Sequence, residues 1–248
     1  MYYEKFKTKL LSFFDEELLK SNPDEWGFFN ETEERINIVG FATNITPDVV
    51  QKARQMKVDF LLTHHDSWEF VFGLKEKCNT LLKENNIVHA FFHAPLDDAD
   101  FGTSASLASA LCLSNCQKVI PYQEQFLAGR IGEIEQSEPF EKFSSRLAVV
   151  LQEPVRQFKN NDKPVKKICV VAGGGNMTGD MKIAVDNGCD TYITGEYVLY
   201  SQQYAQLTNM NLLVGSHTNT EILGVQSLGQ RLVIDTDLEL VRIPEANF

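Results

Sequence analysis

The residues in this chain best suited to chemistry are histidines and acids set where apolar runs end. "VDFLLTHHDSW", residues 58 to 68, closes a short apolar run on Thr63 and then places His64 beside His65. "IVHAFFHAPLD" delivers His93 and, four residues on, Asp97; "NLLVGSHTNTE" delivers His217 and, four residues on, Glu221. The chain has only 5 histidines, so all but one share this placement. Mixed imidazole and carboxylate donors suit Zn, Fe, Mn or Co, and carboxylates can bridge two ions about 3.5–4 Å apart. His64, His65, His93, Asp97, His217 and Glu221 are therefore a pool of candidate ligands for two divalent ions.

The elements around these residues have to aim them. Within a regular strand His64 and His65 would face opposite ways, but beyond the strand's end both rings can turn into one cavity. Open α/β sheets place their sites at such ends. A histidine and an acid four residues apart share a face if a helical turn follows the strand. His89, inside "NIVHAFF", reads as a core histidine. Glu196 in "TGE" stands where His65 stands in "THH", which makes it a candidate base or outer-sphere carboxylate; a glutamate favoured by a helix dipole is the alternative. "AGGGNMTGD" fits neither phosphate-binding glycine pattern and reads as a tight turn, with a backbone anion nest as the other option.

The supporting elements come in two copies. "RINIVGFATN" is a strand, "ITPDVVQKARQMK" a helix opened by Thr-Pro-Asp, and "VDFLLT" a second strand. "KKICVVAGGGN", "MTGDMKIAVDNG" and "CDTYITGEYVL" repeat that order. A gapless offset of 131 sets Val39 on Val170, Ala53 on Ala184, Asp59 on Asp190 and Thr63 on Thr194. An offset of 124 then matches His93 to His217 and Asp97 to Glu221, the difference falling in a longer helical connection, "SWEFVFGLKEKCNTLLKENN". The expected fold is α/β, a single unit over 1–248 made of two similar halves, about 1–118 and 119–248, with mixed sheets. Between the copies, "GRIGEIEQSEPFEKFSSRLAVVLQ" reads as a strand and a helix capped by Ser137, with Phe140, Phe143, Leu147 and Leu151 as its apolar stripe. "KNNDKP", 159–164, is the one linker-like stretch.

Composition bounds the classes. An apolar fraction of 43% and a charged fraction of 23% are those of a soluble globular protein, and no apolar run reaches the roughly 20 residues that span a bilayer. The opening "MYYEKFKTKLLSFFDEELLK" is charged throughout and reads as one amphipathic helix, with Phe6, Leu10, Phe13 or Phe14, and Leu18 on one face, rather than as a signal peptide. A net charge of −11 argues against nucleic-acid binding. Cys78, Cys112, Cys116, Cys169 and Cys189 show no CxxC spacing and read as buried reduced thiols, Cys112 and Cys116 on a helix, in a cytoplasmic protein.

"LLTHHDSW", "HAPLD", "DTYITGE" and "SHTNTE" resemble, in order and spacing, the motifs of the NIF3-like dinuclear metal-centre family, also called the GTP cyclohydrolase 1 type 2 family. The resemblance runs from about residue 25 to residue 230 and is to the family's short form. It implies metal ligation by His64, His65, Asp97, His217 and Glu221, two α/β halves with a two-metal site between them, and a toroidal homohexamer, a trimer of dimers. Three positions depart from the pattern: Asp66 replaces the usual proline, "HAPLD" puts Ala94 and Pro95 where Thr and Asn are usual, and Ser216 replaces the glycine before the last histidine. The expectation is a metal-dependent hydrolase of a small molecule, with a metal-bridging water as nucleophile and His93 or Glu196 moving the proton. Opening of the purine ring of GTP is implied by the resemblance alone. The rival expectation is a non-catalytic metal-binding scaffold or regulator acting through the ring.

Overall fold

Strands that are apolar at nearly every position have to be covered on both faces, and this chain is built that way. A computed structural model describes residues 1–123 and 125–246, which form two compact units, Met1–Ala99 with Val225–Ala246, and Asp100–Gly224. The architecture is mixed α/β, as the periodicities predict.

In the first unit, β1 (Trp26–Phe29), β2 (Ile38–Phe41), β3 (Phe60–Thr63) and β4 (Val88–Phe92) join the strand Glu239–Arg242 in a sheet of order β1-β4-β3-β2-(239–242). Only β1 runs antiparallel to its neighbour. Successive β3 residues serve opposite faces. Leu61 packs with Val49, Val50 and Ala53 of α3 (Pro47–Gln55) and Leu82 of α4 (Leu74–Glu84). Phe60 meets Phe6 at 4.5 Å between ring centroids. The start of α3 is as expected: the Thr46 side chain accepts from Val49 N, and Pro47 fills the first turn.

The opening segment is two helices rather than one, α1 (Tyr3–Leu11) and α2 (Glu16–Ser21). Asp15 causes the break by capping the second helix, its carboxylate accepting from Leu18 N. Phe6 and Leu10 are buried as predicted, but the break shifts the register, so Leu19 and not Leu18 is buried. The connection after His65 is also less helical than expected, because α4 begins only at Leu74.

The second unit has a six-stranded sheet of order β5-β8-β10-β11-β12-β9, with β5 Ser114–Lys118, β8 Arg130–Glu138, β9 Arg156–Phe158, β10 Val165–Val171, β11 Thr191–Thr194 and β12 Asn211–Val214; β6 (Pro121–Tyr122) and β7 (Phe126–Leu127) form a separate ribbon. The three central strands, β10 to β12, are parallel. Ile168, Val170, Ile193 and Leu213 bury against Phe140, Phe143, Leu147 and Leu151 of the helix Phe140–Leu151, so the predicted stripe is the core. Cys169, Val171, Tyr192 and Leu212 bury on the other face with Met181 and Ala205.

Four further expectations are corrected. Ser137 lies within β8 and Pro139 takes the N-cap position. Residues 160 and 161 are no linker, since Asn160 and Asn161 hydrogen-bond Asn211, Met210 and Asn209. Cys112 and Cys116 are exposed, the first in a left-handed turn with φ 54° and the second on β5; the other three cysteines are buried. The repeat also needs a gap. Thr191 pairs Ile168 where Phe60 pairs Val39, so the first strands are offset by 129 (168 against 39) while helices and second strands keep 131 (178 against 47, 191 against 60). The two extra residues fall in the glycine loop. An even shift leaves every side chain on its own face, so hydrophobic alternation cannot reveal it.

Candidate metal centre

In the first unit, the amides of His64 and His65 both donate to Thr43 O, at 3.0 Å each. Two successive amides on one carbonyl end the strand's alternation and turn both rings the same way: they are buried, with centroids 4.5 Å apart. His93 follows β4 and opens the short helix Ala94–Asp98, and its ring lies 5.0 Å from that of His64 and 5.4 Å from that of His65. A ring nitrogen from each of the three lies within 4.8 Å of the others. Asp97, one turn on, brings Oδ1 to 3.5 Å from His64 Nε2.

What lies behind these rings sets their chemistry. His64 Nδ1 meets Phe92 O at 2.9 Å, His65 Nδ1 meets Asn44 Oδ1 at 2.8 Å, and His93 Nδ1 meets Glu25 Oε2 at 2.7 Å. Carbonyl and carboxylate oxygens only accept, so each Nδ1 carries a hydrogen, and Nε2 is the atom that offers a lone pair when such a ring is neutral. Metal-bound histidines are held in this manner, the far nitrogen donating to an oxygen that fixes tautomer and orientation. Asn44 is itself held: Thr43 N and Asn44 N donate to the two oxygens of Glu245, at 3.1 and 3.0 Å.

In the second unit, β12 leads through Gly215 and Ser216 into the helix His217–Val233. His217 and Glu221 share its first turns, with Nε2 3.1 Å from Glu221 Oε1, while His217 Nδ1 donates to Glu196 Oε1 at 2.6 Å. Burial by itself would push the imidazole down, but the Glu221 charge and the bonds to Glu221 and Glu196 outweigh it and hold the ring up at about 9. The protonated ring stands between two carboxylates, Nδ1 facing Glu196 and Nε2 facing Glu221, and a divalent cation would displace the Nε2 proton.

The glycine loop is more than a tight turn. Gly173 has φ +67°, and a Cβ there would overlap the carboxylate of Glu221 and come within 2.9 Å of His217 Nε2. The loop is therefore the wall against which these two side chains are seated. Three residues that position these groups are not marked by any local spacing: Glu25, Asn44 and Gly173. Glu25 stands 68 residues before the histidine it holds, and no local spacing links them. Gly173 had a signal, the insertion in its loop, hidden by the even register shift. His89 is the core histidine expected, 2% exposed with Nε2 2.7 Å from Thr63 Oγ1. Of the departures, Asp66 pairs with Lys75 at 3.3 Å, Pro95 fits a first helical turn, where its missing N–H costs nothing, and Ser216 accepts from Asn219 N at 3.1 Å.

The model of the Duf34/NIF3 (NGG1p interacting factor 3) family matches residues 1–247. The chain belongs to this family. Its relatives include proteins called GTP cyclohydrolase 1 type 2 homolog from Pyrococcus horikoshii, 30% identical with 90% of this chain and 91% of the relative covered, and from Haemophilus influenzae, 27% identical with 82% of each covered. Among solved structures, reduced HcgD from Methanocaldococcus jannaschii superposes with a TM-score of 0.83 at 23% identity, covering 99% of this chain and 98% of that one. TTHA1606 from Thermus thermophilus also gives 0.83, at 20% identity, covering 100% and 99%. The NIF3 fold expected from the motifs is thus the fold present, and its histidines include a cluster, His64, His65 and His93, that could hold a metal ion. No described helix is long and apolar enough to cross a membrane.

Proposed function

We propose that this chain is a metal-dependent hydrolase that binds two divalent ions, with His64, His65 and Asp97 of the first unit and His217 and Glu221 of the second as the ligands that the family resemblance implies. The observation that carries the proposal is the donor set: His64, His65 and His217 are each fixed through Nδ1 to an oxygen, leaving Nε2 as the atom a cation would take, and each unit supplies a carboxylate beside one. Bound there, two divalent ions of the Zn, Fe or Mn kind would acidify a bridging water and polarise a substrate oxygen.

The chain's own groups do the rest. Asp97 and Glu221 supply the negative charge that offsets the cations. Of the two candidates for moving the proton, Glu196 is favoured, because its side chain is 47% exposed and reaches both His217 and solvent. The Nδ1 of His93 is committed to Glu25. The relatives' name supports a nucleotide substrate and a GTP cyclohydrolase type of activity; the net charge of −11 requires the cations or local Lys and Arg to offset a triphosphate. The homohexameric ring and the cytoplasmic location belong to the same proposal, supported by family membership.

The test is metal content of the purified protein and of Glu221→Ala, followed by a screen of the metal-loaded form against nucleotides, phosphoesters and cyclic amides. Two ions per chain, loss on Glu221→Ala and turnover of one class are expected. Two ions without turnover of any class would favour the scaffold, and no stoichiometric metal would sink the centre altogether.

A further inference from the structure

The turn that aims the histidine pair is held from the far end of the chain. Residues 43 and 44 carry two supports of the pair: Thr43 O accepts the amides of His64 and His65, and Asn44 Oδ1 accepts from His65 Nδ1. Their own amides converge on one carboxylate, Thr43 N on Glu245 Oε1 and Asn44 N on Oε2, an anion seat built from successive N–H groups. Glu245 arrives there because the strand Glu239–Arg242 runs parallel to β2, with Arg242 beside Phe41. Ile243 extends the pairing, its amide donating to Phe41 O at 2.9 Å and its side chain fully buried. Lys52 Nζ of α3 donates to Pro244 O at 2.9 Å.

The other half shows that such a turn closes without a carboxylate. Gly173 O accepts from Gly195 N as Thr43 O accepts from His64 N, so the two turns are equivalent. Gly173 N, however, donates to a hydroxyl, Thr220 Oγ1, at 2.9 Å. A neutral acceptor suffices there, and the glycines of that turn have no side chain with which to hold a ring. The first half uses a charged acceptor that takes two amides at once, and a bond to a charged acceptor is roughly twice as strong as a neutral one. The added restraint falls on Asn44, the residue that fixes one imidazole.

We infer that Glu245 is a positioning residue for His65, acting through Asn44, and that the segment 243–245 is a strap that keeps this ring aimed. Two adjacent amides fixed on one carboxylate hold the Asn44 backbone in a single conformation, so its Oδ1 stays in front of Nδ1. With that oxygen in place the ring keeps a hydrogen on Nδ1 and presents Nε2. Without the strap Asn44 swings, and the ring loses the acceptor that selects its tautomer. His64 is the internal control, because its Nδ1 meets Phe92 O at 2.9 Å, a backbone acceptor on β4 rather than on this turn.

The effect on metal rests on the reading of this region as a metal centre; the effect on the ring does not, so two measurements separate them. In the full-length protein without metal, nitrogen NMR of the histidine side chains gives each ring's tautomer for wild type, Glu245→Gln and Glu245→Ala. Zn(II) titration then gives affinity, with circular dichroism to confirm folding. Glu245→Ala should turn His65 from the Nδ1–H form to a mixture of tautomers while His64 keeps its form, and Zn(II) affinity should fall about tenfold. Glu245→Gln offers one acceptor oxygen in place of two, so it should show the same change in smaller measure, and it decides the matter if Glu245→Ala does not fold. A His65 pattern unchanged in the folded variants overturns the inference, as does an equal change at His64, which would mean general loosening. A wild type that takes up no Zn(II) sinks the metal centre, while the tautomers still decide the role of Glu245.

Discussion

The central strand of each unit ends on a threonine, and the two chains of residues then diverge. After Thr63 come two imidazoles; after Thr194 come Gly195 and Glu196. The backbone device is the same: His64 N donates to Thr43 O at 3.0 Å, and Gly195 N donates to Gly173 O at 2.9 Å. What differs is the space beyond Cα. At position 64 a full imidazole is accommodated and buried. At position 195 a Cβ would lie 2.5 Å from Thr220 Oγ1, 2.7 Å from His217 Cα and 2.9 Å from Gly173 O. The first half places two imidazoles at its strand end, whereas the second leaves that end bare so that the start of the helix His217–Val233 can come close and present His217 and Glu221 instead.

Gly195→Ala is the sharpest way to break that contrast. Two of the three close atoms are backbone and cannot rotate away, so the added methyl displaces either the helix start or the glycine loop. Overpacking of this kind costs about 3 kcal/mol or more when nothing yields, and it moves His217 relative to Glu221. Urea unfolding should show the full loss, with metal uptake falling alongside. A variant as stable as wild type, within about 0.5 kcal/mol, would mean that the helix start is not confined by residue 195.

A second contrast lies one strand over. His89 pairs with Leu61, and its counterpart Leu212 pairs with Tyr192, so the first half buries an imidazole where the second buries a leucine. Thr63 Oγ1 donates to His65 O at 2.7 Å, which makes His89 Nε2 the donor to that hydroxyl. Burial, against the pull of the Asp66 charge, drives His89 down to about 4. The unfolded chain takes a proton near pH 6.5, its ordinary value, while the folded chain declines it until about pH 4. Stability from this group is therefore complete above pH 6.5 and falls as pH falls towards 4, by roughly 2–3 kcal/mol over the window. His89→Leu should flatten that part of the curve relative to wild type. Parallel curves for the two proteins between pH 7 and 4.5 would refute it.

The histidines and acids at the strand ends were legible because type and spacing both survive in one dimension: an apolar run, a histidine, an acid four residues on. The α3 start was legible for the same reason, since Thr46 and Pro47 act on their immediate neighbours. The repeat was legible where Asp59 and Asp190 anchor equivalent strands; each carboxylate accepts from two amides at the start of the neighbouring strand, 37 and 38 in one half, 166 and 167 in the other. The same pairs show where legibility ended, because their separations differ by two residues and the gapless offset hid it. Glu25, Asn44 and Glu245 were out of reach, since each acts on a partner brought close by the fold and none sits at a telling distance along the chain. The exposed Cys116 was misread because a thiol's burial depends on which face of an edge strand it occupies.

The smallest effect concerns how the helices that begin at Ala94 and His217 are started. Helix Ala94–Asp98 has no capping side chain at His93 and relies on Glu25, which accepts from Ala94 N at 3.3 Å. The helix at His217 has two devices: Ser216 Oγ accepts from Asn219 N at 3.1 Å, and Glu153 accepts from Ser216 N at 2.6 Å and from Asn219 Nδ2 at 2.9 Å. Serine here replaces the family's usual glycine, and both residues suit an N-cap. Ser216→Ala should cost about 1 kcal/mol, whereas Ser216→Gly should cost only a few tenths, because the backbone bond to Glu153 survives and glycine tolerates the cap conformation. Thermal melts of the two variants give the order directly. Equal losses would mean that Glu153 holds the helix start unaided, and that the serine hydroxyl adds nothing to the seat of His217.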